Sequence, residues 1–166
     1  KSMQAGLIGI IAILIFMIGF YRVPGVIADI SLVLYALLVM GIMAVFQATL
    51  TLPGIAGAIL SVGMAVDGNI IIYERVKEEL RAGKTLMAGI DAGFTRAFWT
   101  IFDSNLTTLI ASGVLYYFGN GPIKGFAVTL SIGILCNMFT AITFTRFMLR
   151  STARSQLITN PKLYGA

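Results

Sequence analysis

Apolar and polar positions fall along this chain in long blocks. Residues 5–21, AGLIGIIAILIFMIGFY, carry no charge and close on Arg22. Apolar runs of about 18 residues or more mark membrane-spanning helices. Val23-Pro24-Gly25 reads as a turn, because proline fixes φ and glycine allows positive φ. A second apolar run occupies 26–46, with Asp29 near its start. A short polar connection, 47–52, precedes Pro53, which stands where a first helical residue is favoured. The third run, 53–73, stops at Glu74. Residues 74–84, ERVKEELRAGK, continue it as a charged helical extension whose three- and four-residue spacings place the charges on one solvated side.

Residues 85–98 set Leu86, Met87, Ile90, Phe94 and Phe98 against Asp91 and Arg96, the pattern of an interfacial helix lying along a membrane surface. The fourth run, 99–118, is polar at its start, and Gly119-Asn120-Gly121-Pro122 is a turn. The fifth, 125–149, leads into a polar tail over 151–166. The pattern therefore predicts an all-α membrane protein. Its five transmembrane helices lie at 5–21, 26–46, 53–73, 99–118 and 125–149, with a cytoplasmic interfacial helix inside 74–98.

Composition agrees. Of the 166 residues 58% are hydrophobic and 11% charged, against about 25% charged in a soluble domain. The net charge of +5 is informative through its distribution. Arg22, Arg75, Lys77, Arg81, Lys84, Arg96, Arg146, Arg150, Arg154 and Lys162 fall on one side of the predicted topology, and only Lys1 and Lys124 on the other. The charged block and C-terminus are therefore expected in the cytoplasm and the N-terminus outside. The chain starts without a methionine and has an odd helix count, so a preceding helix is expected upstream. The basic residues cluster at membrane ends without interleaved aromatics, which argues against nucleic-acid binding.

Catalytic and metal chemistry find little to work with. There is no histidine, one cysteine (Cys136), no phosphate loop and no nucleophile motif. The expectation is a non-enzyme with no catalytic residue, no metal and no cofactor. Proton handling near neutral pH would then fall to carboxylates, since histidine is absent.

The residue that stands out is Asp67. It lies about two helical turns before Glu74 in the third run, with Leu60, Gly63, Met64, Ile70, Ile71 and Glu74 on its face. Ionisable residues inside a membrane are costly and are functional by default, and the alternative is an acid snorkelling to the interface. On the same helix Gly57, Ser61 and Ala65, and likewise Gly54 and Ala58, recur every four residues, a small-residue ridge that lets another helix approach closely. Asp103 enters the fourth run at similar depth, followed by Asn105, Thr107 and Thr108. These residues and Asn137 are candidates either for a hydrated path feeding Asp67 or for polar helix packing. Thr129, Gly133, Asn137 and Ala141 recur every four residues in the last run, and Arg146 is placed to snorkel outward. The chain holds a buried acid without a deeply buried base, so Asp67 is expected either to be protonated or to find its partner in another chain.

Two blocks, ATLTLPGIAGAILSVGMAVDGNIIIYERVKEEL and DSNLTTLIASGVLYYFGNGPIKGFAVTLSIGI, closely resemble the C-terminal membrane region of the SecD protein-export family, which occurs alone or fused to SecF within the RND superfamily. The resemblance spans about residues 47–150, and the family's usual VDAN reads Val66-Asp67-Gly68-Asn69 here. It implies an RND-type half bundle lacking its first helix and its large periplasmic domain. The protein would be a motor that uses proton flux to pull polypeptide from the SecYEG channel. Asp67 would then be the proton-carrying acid, and Gly121, Pro122, Lys124 and Gly125 would belong to a family motif. A SecF half would supply the basic partner. The implied partners are SecF, the SecYEG translocon, the translocating preprotein and the lipid bilayer. The setting is a bacterial or archaeal cytoplasmic (inner) membrane, with H+ the coupling ion. Two other functions fit the residues: an RND-type small-molecule or lipid exporter half, and a non-transporting scaffold for a translocon.

Overall fold

The computed structural model describes residues 2–46 and 51–155, and its elements are helices: α1 (Ser2–Tyr21), α2 (Val23–Val45), α3 (Leu52–Arg81), α4 (Leu86–Phe118), α5 (Gly121–Phe139) and α6 (Thr145–Arg154). A π-helical turn, Thr140–Phe144, joins α5 to α6 without a break. Among the described residues three helices are long and apolar enough to cross a membrane: Val23–Val45, Leu52–Arg81 and the continuous Gly121–Arg154. The predicted connection falls on 47–50 and most of the predicted tail on 156–166, outside the described residues. Helix α6 runs on to Arg154, so the first four residues expected for that tail, 151–154, are helical.

The α1–α2 turn comes earlier than the proline suggested. Arg22 alone makes it, at φ 52, and α2 already starts at Val23 with Pro24 in its first turn. Proline belongs there because its missing N–H has no helical partner at that position. Gly25 is the close approach: a Cβ on it would lie 2.1 Å from the Met17 carbonyl oxygen of α1.

Helix α3 is the axis of the bundle. Thr51 caps it, Oγ1 accepting from the Gly54 N–H at 3.1 Å. Its small-residue ridge packs in parallel along α5. A Cβ on Gly57 would meet the Phe126 carbonyl oxygen at 3.1 Å, and one on Gly133 would meet Ser61 Oγ at 2.4 Å. That register continues to Gly68, which lies beside Asn137 and Ala141. Tyr35 of α2 donates to Ser61 at 2.6 Å behind this seam. Ser112 of α4 and Ser131 of α5 share a hydrogen bond at 2.8 Å. Interhelical contacts of small and hydroxyl side chains are what holds helices together where no water is present to drive burial.

The predicted interfacial helix over 85–98 is not a separate element. Residues 86–118 form one helix, and its first half packs antiparallel on the charged extension of α3. Gly89 and Gly93 explain this: a Cβ on Gly93 would lie 2.7 Å from the Val76 backbone nitrogen, and one on Gly89 would lie 2.7 Å from a Leu80 methyl. The amphipathic face of 85–98 is thus spent on α3, with Ile90, Phe94 and Ala97 buried.

Candidate functional site

The ridge that seats α3 on α5 determines where Asp67 points. At 100° per residue, Gly57, Ser61, Ala65 and Gly68 face inward and Asp67 faces out. It stands in a notch of about 400 Å³ between α3 and α1, walled by Ala12, Ile13, Phe16, Gly63, Val66 and Ile70. No described residue gives it a hydrogen bond or an ion pair. Its helical neighbour Leu60 is 49% exposed on the same side. The acid therefore lies on the outer face of this bundle, in apolar surroundings.

Directly behind it lies Asn137, 2% exposed, whose Nδ2 donates to the Met64 carbonyl at 3.4 Å while Oδ1 has no partner. A Cβ on Gly68 would sit 3.7 Å from that Oδ1, an ordinary contact. Asn137 thus touches the Asp67 helix from the core side. Asp103 and Thr107 do not join it. Both are exposed on α4, and Thr107 Oγ1 donates to the Asp103 carbonyl of its own helix at 2.8 Å. Asn105 is buried but also turns back, Nδ2 donating to the Ile101 carbonyl at 2.8 Å. Short polar side chains commonly bond their own helix in this way.

The Gly121–Gly125 motif starts α5 on the opposite end of the bundle. Gly121 has φ 29, Pro122 follows in the first turn, and Lys124 lies over the Tyr116 ring at 5.6 Å. Gly125 admits α3: a Cβ there would lie 2.7 Å from Thr51 Oγ1. These residues hold a turn and a helix crossing, and none of them contacts Asp67.

Sequence reasoning missed a polar cluster nearer the charged end. The π-helical turn brings Thr145 between Ser31 of α2, at 2.9 Å, and Asn69 of α3, at 3.1 Å, while Thr145 also reaches the Thr140 carbonyl at 3.1 Å. Asn69 lies two residues from Asp67 and on the inner face, so the network braces α3 from behind. The run of threonines at 140, 143 and 145 was a visible signal; the π geometry that aims Thr145 inward was not. Asp29 Oδ2 and the Tyr73 hydroxyl are also buried without partners among the described residues.

At the charged end the ion pairs are interhelical. Glu79, its side chain 8% exposed, receives Arg96 of α4 at 2.7 Å and also pairs with Lys84. Lys77 is buried against Phe20 and Tyr21 of α1, with Nζ 4.5 Å from the Tyr21 ring centroid, and bonds Glu74 at 3.1 Å. Arg146 was expected to snorkel outward, and its side chain is 41% exposed. There it pairs with Asp91 at 3.3 Å and lies over the Phe94 ring.

Long apolar helices packed through glycine and hydroxyl seams, with a carboxylate held at mid-helix, define a polytopic membrane protein with an ionisable site. The chain belongs to the SecD/SecF protein-export membrane proteins, matching the C-terminal region of that family over residues 1–154. It is 55% identical over 165 residues to the protein translocase subunit SecD of Acidaminococcus fermentans, covering 99% of this chain and 40% of that one. Identity to the protein translocase subunit SecD of a Synechocystis species is 52%, over 99% of this chain and 35% of that one. A crystal structure of SecDF, a translocon-associated membrane protein from Thermus thermophilus, superposes with a TM-score of 0.90 at 41% identity, covering 94% of this chain and 22% of that one. The chain thus spans well under half the length of these relatives and corresponds to their membrane region.

Proposed function

We infer that this chain is the membrane half of a SecD-like protein-export motor, in which a proton passes through Asp67 and shifts helix packing to drive polypeptide translocation. The observation that carries the reading is Asp67, without a partner among the described residues, in an apolar notch on the outer face of α3. Placing a carboxylate at mid-membrane costs about 3 kcal/mol on insertion scales. A surface that covers the notch and offers a cation offsets that cost, and a SecF-like half is the natural source. Each charge crossing the field gains about 2.3 kcal/mol per 100 mV, enough to bias a two-state bundle.

In this reading α1, α2, α3, α4 and the continuous α5–α6 are five spans. The positive residues put the charged end in the cytoplasm of a bacterial or archaeal cell and the N-terminus outside. The partners are the SecF-like half, the SecYEG channel, a translocating preprotein and lipid. H+ is the coupling ion, with no cofactor and no enzymatic step. Asp103 and Thr107, on the outside of α4, are assigned to the surface rather than to the proton path, and Asn137 to bracing α3.

The test is Asp67→Asn in the full-length protein, reconstituted with the Sec channel in proteoliposomes. The variant is expected to insert and assemble normally and to lose the part of export that responds to the proton gradient, while Asp67→Glu retains some of it. Full gradient-dependent export by Asp67→Asn would remove the proton-carrier role. Loss of assembly alone would favour the scaffold reading.

A further inference from the structure

The geometry points to a binding site for the phosphate group of an anionic glycerophospholipid between α4 and α6, at the charged end of the bundle. This requires only that the chain be embedded in a membrane, and it is independent of what Asp67 does.

A cavity of about 520 Å³ opens there, walled by Met87 and by the α6 face carrying Arg146, Arg150 and Arg154. The four-residue spacing stacks the three guanidiniums along about 12 Å of helix. Among the described residues one carboxylate answers them. Asp91 accepts from Arg146 on Oδ1 at 3.3 Å and from Arg150 on Oδ2 at 3.4 Å. Both distances exceed the 2.7–2.9 Å of a tight charge-assisted bond. Among the described residues Arg154 has no ion pair, and Arg146 Nε is buried with no acceptor. The cavity therefore holds an excess of oriented guanidinium donors, the group best matched to phosphate oxygens. Arginines in the last turn also complement the helix dipole, but Arg146 lies two turns earlier, beyond the reach of that effect.

The ligand must carry hydrocarbon as well as phosphate. A second cavity of about 170 Å³ adjoins the first, sharing Ile142 and Arg146, and its other walls include Phe94, Phe98 and Trp99. Trp99 and Phe147 are exposed beside the two openings, at 65% and 67%. Aromatic side chains at that level mark the headgroup boundary of a bilayer. A free anion would fill the arginine cavity and leave the apolar one empty; a phospholipid lying along α4 fills both. Basic pockets between helices at this level suit anionic headgroups.

The experiment uses the full-length protein in phosphatidylcholine nanodiscs containing graded amounts of phosphatidylglycerol with brominated acyl chains. Quenching of Trp99 is read as the difference from the Trp99→Phe variant. Brominated phosphatidylglycerol should reach half-quenching at a much lower mole fraction than brominated phosphatidylcholine. Arg154→Gln, which breaks no ion pair among the described residues, should raise that fraction about fivefold, the worth of one basic residue near an anionic surface. Asp91→Asn should lower it, a gain that misfolding cannot produce. Coincident curves for the two lipids, or an unchanged Arg154→Gln, would overturn the site. Abolition of the phosphatidylglycerol preference by millimolar inorganic phosphate would assign the arginines to a soluble anion instead.

Discussion

Two glycines on the same helical seam should behave in opposite ways. A methyl on Gly133 would fall 2.4 Å from Ser61 Oγ and 2.9 Å from the Tyr35 hydroxyl, and those two groups are buried and bonded to each other. They have nowhere to move, so Gly133→Ala should destabilise the bundle by about 1–3 kcal/mol, the range for overpacking a filled core. Gly68 has the space: its nearest neighbours would lie 3.7–3.8 Å from the new carbon. Gly68→Ala should leave the helix unchanged or stabilise it by up to about 1 kcal/mol through reduced backbone entropy loss. Thermal unfolding of the two variants in one detergent would check both signs. A destabilised Gly68→Ala would mean that the glycine has a role the packing does not reveal. The spacing of Gly57, Ser61 and Ala65 announced this seam in the sequence, because small residues every four positions can only make one stripe. Which of the glycines tolerates a side chain depends on the partner helix, and no single-helix pattern contains that.

Between elements, the α3–α4 hairpin shows where amphipathicity misleads. Apolar residues on one side of 85–98 fit a membrane surface as well as a neighbouring helix, so periodicity alone could not choose. Gly89 and Gly93, four apart, were the discriminating signal, since a helix on lipid gains nothing from glycine at its contact face, whereas a helix on a helix gains proximity. The charges confirm the pairing. Glu79 is nearly enclosed and its carboxyl is held below its ordinary value, first by the hydrogen bond from Lys84 and then by Arg96. A lowered folded value means that the pair stabilises the hairpin above the ordinary carboxylate range and ceases to do so as pH falls through the lowered one. Acidification should therefore open the 82–85 turn, where Gly83 has φ 88, to a protease that is active at both acid and neutral pH. Glu79→Gln should be cut to the same extent at neutral pH as at acid pH. Equal resistance of the unmodified protein at both pH values would show that the glycine seam alone holds the hairpin.

For the molecule as a whole, the decisive feature is a face left uncovered. The apolar blocks predicted helices at nearly their observed positions because membrane-spanning length is dictated by the bilayer. The side on which Asp67 emerges was less legible: the sequence marks it as ionisable and intramembrane but not as inward or outward. Its orientation follows from α5 occupying the opposite side of α3, which a tertiary register decides. If a second half closes over the notch, residues sharing Asp67's face must approach that half. Leu60 is the place to look, half exposed and two turns away. In the full-length assembly, Leu60→Cys should be joined by a short bismaleimide to a cysteine introduced on the facing helix of the SecF-like half, and the native Cys136, buried against the core, should not react. The yield should rise when the proton gradient is collapsed if helix packing around Asp67 changes with its charge, and stay constant if the carboxylate is only a contact. A Leu60→Cys variant that assembles and exports normally but never cross-links would place the other half elsewhere, leaving Asp67 facing lipid and its charge unexplained.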